Sequence, residues 1–154
     1  MRRKDREVAF LGEKLQIMEK CDVCYVSFMG EEYPYTVPMN FGMEVDGEKV
    51  KLYFHCAQEG KKLELMRRNP KVSFAMSCDH LFEGSGASST MRYASVCGNG
   101  RLAVVEVDEK LRGLKAILGH YGQQLQELPQ KALDTVCVLR LEVHELTGKR
   151  NAVR

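Results

Sequence analysis

The chain has 154 residues, which suits one domain (1–154) built around a single core. With 44% hydrophobic and 29% charged residues, the composition is that of a soluble globular protein. The 23 basic residues nearly balance the 21 acidic ones, for a net charge of +2, which excludes a general nucleic-acid or membrane-surface binder and confines any anion site to a local cluster.

In chain order, the opening Met1-Arg2-Arg3-Lys4-Asp5-Arg6 is basic, but no signal-peptide apolar stretch follows it. No apolar run reaches the length of a membrane span, so the expectation is a cytoplasmic protein. Residues 5–19 read as a helix capped by Asp5, with Val8, Leu11, Leu15 and Met18 at helical spacing. Val23 to Met29 reads as a strand and Gly30-Glu31-Glu32 as a turn. Tyr33 to Val45 is a long extended segment, in which Pro34 and Pro38 point to a sheet edge or a bulge. Asp46-Gly47 is a hairpin signal before the strand Lys49 to His55.

A short helix follows at 58–68, with Leu63 and Met66 on its buried face and Asn69-Pro70 as its stop. Lys71 to Ser77 is the next strand. Cys78 to Thr90 reads as a loop around the run Glu83-Gly84-Ser85-Gly86-Ala87-Ser88-Ser89. Met91 to Val107 is a long strand with a bulge or bend at Gly98-Asn99-Gly100. Asp108 caps a helix running to about Tyr121, and Val136 to Leu146 is a last strand with a polar tail from Thr147. Six strands joined by short connections predict an antiparallel sheet curled into a small α+β barrel, with the helices plugging its gaps and ends.

The six cysteines, Cys21, Cys24, Cys56, Cys78, Cys97 and Cys137, are scattered, and most read as small hydrophobes in a reducing compartment. Cys21-Asp22-Val23-Cys24 is a CxxC, but no second ligand pair accompanies it, and it precedes a strand rather than opening a helix. It reads as a helix end running into a strand, with neither a disulfide nor a metal site expected.

Two segments carry chemistry. In Leu52 to Lys62 a strand ends and a helix begins with Lys61 and Lys62; free amides at such a junction, with two ammonium groups, suit a phosphate. His55 can add a hydrogen bond there. In Tyr35 to Phe41, a proline-interrupted extended segment can offer its backbone to a planar heterocycle. A solvated lysine pair and an ordinary edge strand are the plainer readings of each segment taken alone.

Four segments in order, TVPMNF (36–41), LYFHCAQEGKKLELMRRNPKVSF (52–74), MRYASVCGNGRL (91–102) and LEVHELTGKRN (141–151), resemble the pyridoxamine 5′-phosphate oxidase-like FMN-binding split barrels. The resemblance covers about residues 5–151 and is closer to the nitroimidazole-resistance branch than to the oxidase. It implies a mainly β α+β fold, a six-stranded antiparallel split β-barrel with short flanking helices, and a homodimer with FMN at the subunit interface. By the same resemblance, Lys61 and Lys62 hold the phosphate, and His55, Cys56 and Ala57 line the phosphate and ribityl side. Thr36, Val37, Met39 and Asn40 run beside the ring. Tyr93 and Ser95 approach from the other subunit, and Lys149 lies in the terminal motif without an assigned role. His55 is the candidate catalytic residue.

The oxidase's arginine-rich C-terminal motif is replaced here by Thr-Gly-Lys-Arg-Asn, which argues against vitamin B6 oxidation. The implied activity is an oxidoreductase that passes hydride from NAD(P)H to FMN and reduces a small acceptor, such as a nitroaromatic or quinone-like compound, with the loop at 83–90 gating access. No Gly-x-Gly-x-x-Gly fingerprint provides a separate nucleotide site. Two alternatives stand beside it: a non-catalytic flavin-binding or storage protein, and a haem-binding split barrel using His55, His80 or His144.

Overall fold

The computed structural model describes residues 2–124 and 135–151. Eight strands form one antiparallel sheet: β1 (Glu7–Val8), β2 (Cys24–Phe28), β3 (Tyr35–Met39), β4 (Gly42–Asp46), β5 (Lys49–Cys56), β6 (Lys71–Glu83), β7 (Thr90–Val104) and β8 (Cys137–Asn151). Among the described residues the α-helices are α1 (Leu11–Glu19), α2 (Lys61–Arg68) and α3 (Val107–His120). The strand order is β3-β2-β6-β7-β8-β5-β4, with β1 added to β8.

This order explains the split barrel. The two edges of the sheet, β3 and β4, are consecutive in sequence and separated only by Asn40 and Phe41. So short a link requires the sheet to curl until its edges meet, although no ladder joins them. Pro38 sits in the edge strand β3, where its missing N–H costs no ladder bond on the free side.

Inside the curl, alternate residues pack: Val26 and Phe28 of β2, Leu52 and Phe54 of β5, Phe74 and Met76 of β6, Val96 of β7, and Leu139 and Leu141 of β8. α1 closes the core with Ile17 and Met18, and α2 with Leu63, Leu65 and Met66. α3 lies outside the barrel, over a second cluster of Tyr53, Val105, Leu114, Ile117 and Val138. β5 is therefore buried on both faces.

The sequence expectations hold for fold class and most elements, with corrections. Among the described residues there are eight strands, not six, because the extended segment 33–45 breaks into β3 and β4 at the curl and Glu7–Val8 pairs with β8. Val8 thus belongs to a strand, and the first helix begins at Leu11 without a side-chain cap, so Asp5 does not cap it. The third helix starts at Val107 behind Glu106, and Asp108 stands in its first turn. The second starts at Lys61, not 58.

The expected loop 78–90 is mostly strand: β6 continues to Glu83 and β7 begins at Thr90, with a bulge between Cys78 and Leu81 that holds Asp79 at φ 55°. The expected polar tail from Thr147 is strand as well, because β7 and β1 flank it and satisfy its backbone. The hairpin at Asp46-Gly47 is present, with Gly47 at φ 60°.

The expected bend at Gly98-Asn99-Gly100 is a register shift between Asn99 and Gly100 against β8. A Cβ at Gly100 would stand 2.0 Å from the Glu142 carbonyl oxygen, a backbone atom that cannot swing away. Gly100→Ala is expected to cost about 2 kcal/mol and lower the melting temperature by roughly 4–8 °C, as read by thermal unfolding.

Candidate functional site

The seam where the sheet's edges approach is open, and a cleft of about 480 Å³ lies in it. One wall is the edge strand β3, through Val37, Pro38 and Met39, continued by Asn40. The other wall is the end of β5, His55 and Cys56, with Ala57 beyond it. Lys62 closes one end from the first turn of α2, and Thr135 and Val136 line it ahead of β8.

The chain's local order builds each wall. β3 pairs with β2 on one side only, so backbone groups on its free edge are available to a ligand. α2 begins after Gly60, whose φ of 130° few side chains tolerate. The Gly60 carbonyl accepts from the amides of Leu63 and Glu64, so the Lys61 and Lys62 amides form the open positive end of the helix.

His55 is exposed on the cleft side of β5, opposite Val138. Cys56 pairs in register with Cys137. Burial pushes the Cys56 thiol up to about 11 and Cys137 adds to that, while Lys62 pulls it back.

Seven of the expected site residues thus meet in one place: Val37, Met39, Asn40, His55, Cys56, Ala57 and Lys62. Four do not. Thr36 bonds Ser27 Oγ through its own Oγ1 at 2.8 Å and does not line the cleft. Lys61 points to the other side of α2, with Nζ 4.7 Å from the centroid of the Tyr35 ring, into a depression it shares with Glu31, Glu32, Glu64 and Arg68.

Tyr93 and Ser95 lie on β7, away from the cleft. Tyr93 lines a separate depression with His80, Arg92 and Arg150. Its hydroxyl is held below the ordinary tyrosine value, first by a hydrogen bond from Lys149, which with that ammonium's charge and Arg6 outweighs the opposing effect of burial. The loop after β6 stands at the tip of the β6–β7 hairpin, and none of its residues lines the cleft within one chain.

Pro38, Thr135 and Val136 line the cleft without having been singled out as site residues. Pro38 carried a signal, since its ring marks an edge. Nothing local marks Thr135 or Val136, which reach the cleft only because β8 pairs with β5. The three histidines considered as axial ligands do not converge. His55 faces the cleft, His80 bonds Ser77 Oγ at 3.0 Å, and His144 is exposed on β8. No cluster of three metal-ligating side chains occurs among the described residues.

Comparison with known proteins agrees with this geometry. A family model described as pyridoxamine 5′-phosphate oxidase matches residues 12–150. A candidate 5-nitroimidazole antibiotic resistance protein from Bacteroides thetaiotaomicron VPI-5482 is 31% identical, with a TM-score of 0.83, over 94% of this chain and 86% of that one. A flavocytochrome from Azotobacter vinelandii (18% identity, TM-score 0.79, 99% of this chain and 72% of that one) shares the fold. So does an FAD- and haem-binding protein from Mycobacterium smegmatis (17%, 0.82, 96% and 74%). No curated protein matches the sequence. The cleft at the barrel seam, the match over most of the chain and the 31% identical relative together establish that this chain belongs to the pyridoxamine 5′-phosphate oxidase family.

Proposed function

We propose that this protein is a cytoplasmic FMN-binding flavoprotein, acting as an oxidoreductase that passes electrons from NAD(P)H to a small acceptor such as a nitroaromatic or quinone-like compound. The observation that carries the reading is the seam cleft, which joins a free strand edge, suited to a flat ring, to a helix N-terminus bearing Lys62, suited to a phosphate. Its volume of about 480 Å³ lies within the usual range for small-ligand sites. FMN, when bound, supplies the two-electron redox chemistry.

The protein's own residues then have distinct tasks. Lys62 and the first amides of α2 neutralise the phosphate. Val37, Pro38 and Met39 exclude water from one face of the ring, and Asn40 can hydrogen-bond its polar edge. His55, exposed at the opposite wall, can give or take a proton for the small acceptor.

The direct test is the visible spectrum of the purified protein, with flavin bands expected and a haem Soret band counting against the reading. NAD(P)H oxidation that depends on an added nitroaromatic is expected next. Bound FMN without turnover would instead make this a flavin carrier.

The reading includes a homodimer. The β6–β7 hairpin exposes Leu81 (51%), Phe82 (64%) and Met91 (44%), and β2 exposes Tyr25 (49%), apolar side chains that a second copy can cover. Covering these side chains is the natural way for Tyr93 and Ser95 to approach a second chain's flavin. Sedimentation is expected to show a dimer at micromolar concentration, and a stable monomer that still binds FMN would refute this part.

A further inference from the structure

The wall of the cleft formed by residues 37–39 is held on one side by its ladder with β2 and has no sheet partner on its open side, where it turns into β4. The contacts of α3 support it at three points, all at the corner where β3 turns into β4. First, β4 begins flush against the helix: a Cβ on Gly42 would stand 2.3 Å from both the Ala116 carbonyl carbon and the Ile117 amide nitrogen, backbone against backbone. Second, the Phe41 amide donates to Tyr121 Oη at 3.2 Å, and Tyr121 donates onward to the Asp22 carbonyl at 2.7 Å. One hydroxyl thus uses its acceptor and its donor to join the corner to the start of β2. Third, the His120 ring lies 4.2 Å from the Phe41 ring, while its Nε2 is 2.8 Å from the Cys21 carbonyl.

The other end of α3 is fixed to the opposite wall. Tyr53, two residues before His55 on β5, donates to Glu109 at 2.7 Å, and Arg140 of β8 meets Glu109 at 2.5 Å. A Cβ on Gly113 would stand 2.8 Å from the Tyr53 ring. One helix therefore packs against the corner that follows one wall of the cleft and against β5, the strand that carries the other.

We infer that α3 sets the spacing of the cleft walls, and that Tyr121, which lines no part of the cleft, is a positioning residue for the ring-binding wall. The helix acts by holding Phe41, and through it Asn40 and Met39, at a fixed distance from β5. The inference uses the flavin reading above for its ligand readout, while the clamp itself has a readout independent of any ligand.

The test is Tyr121→Phe in the full chain. Hydrogen exchange is expected to quicken at residues 39–42 while the β6–β7 ladder keeps its protection, since the Phe41 amide loses its acceptor. FMN and riboflavin are both expected to bind about fivefold more weakly, the scale of one hydrogen bond, because the ring wall has moved and the phosphate grip has not. The visible absorption of the bound flavin is expected to shift.

Unchanged exchange at 39–42 would overturn the clamp. Faster exchange with wild-type affinity and spectrum would make the contact merely structural and overturn the positioning role. A loss for FMN alone would move Tyr121 to the phosphate side and overturn it too. Should Tyr121→Phe not fold, His120→Gln removes the α3 ring from Phe41, and unchanged exchange at 39–42 in that variant would overturn the clamp. A wild-type chain that binds neither flavin removes the flavin reading, while the exchange experiment still decides the clamp.

Discussion

Replacing Lys62 with alanine is expected to weaken FMN binding by about tenfold to a hundredfold and to leave riboflavin binding nearly unchanged. The range follows from one charge-assisted hydrogen bond to phosphate, about 1.5–3 kcal/mol. Riboflavin lacks the phosphate and gains nothing from the ammonium. Lys61→Ala is expected to change neither ligand appreciably, because its ammonium rests over Tyr35 outside the cleft. The pair of lysines thus divides into one that faces the site and one that does not, and the double variant should behave like Lys62→Ala alone. Fluorescence-quenching titrations of apoprotein with the two flavins measure all of these. Equal losses for FMN and riboflavin in Lys62→Ala would show that the variant had disturbed the wall, and a tenfold loss in Lys61→Ala would place that side chain in the site.

Glu109→Gln is expected to destabilise the protein by about 2–3 kcal/mol at neutral pH, with a deficit that shrinks in acid. The side chain of Glu109 is only 15% exposed and accepts from Tyr53 at 2.7 Å, Arg140 at 2.5 Å and Arg112 at 3.2 Å. Burial works to raise its pKa, but the Tyr53 hydrogen bond and the two arginines outweigh burial and hold it below the ordinary value of 4.5. A carboxyl with a lowered pKa in the folded state stabilises the fold above its unfolded value, and that contribution fades as pH falls through the folded one. The gap between the melting temperatures of wild type and Glu109→Gln should therefore be larger at pH 7 than below about pH 4.5, where protonation removes the part of the deficit that belongs to the carboxylate charge. A deficit constant across that range would show that the carboxylate charge is not what holds α3 to β5 and β8. Tyr53→Phe removes the neutral donor alone and is expected to cost less, about 1 kcal/mol.

Much of the site was legible because its parts are short and local. The helix that starts with Lys61-Lys62 and stops at Asn69-Pro70 depends on a glycine before it and a proline after it. The edge character of β3 follows from Pro38, whose ring has no N–H to give a neighbour. The hairpin at Asp46-Gly47 depends on one glycine with positive φ. In each case a few adjacent residues contain the whole physical cause, so the sequence reveals it.

The misses have the opposite character. Thr147 to Asn151 looks like a polar tail, yet it is strand because β7 and β1 lie on either side of it and complete its hydrogen bonds. Cys78 to Glu83 looks like the start of a loop, yet it pairs with Thr90 to Ala94 across a bulge. The division between Lys61 and Lys62 depends on the angle at which α2 meets the seam, which no spacing encodes. Thr135 and Val136 join the cleft only through the pairing of β8 with β5.

By itself, then, the sequence determined a mainly antiparallel barrel with flanking helices and most of the residues that line the cleft. Only the tertiary structure decided which lysine faces the cleft, how far the strands run, and that α3 packs against both the β3–β4 corner and β5. The reason is physical: turns, caps and edges are set by the dihedral limits and hydrogen-bonding capacity of neighbouring residues, whereas strand length, side-chain facing and wall spacing are set by partners that folding brings together from distant parts of the chain.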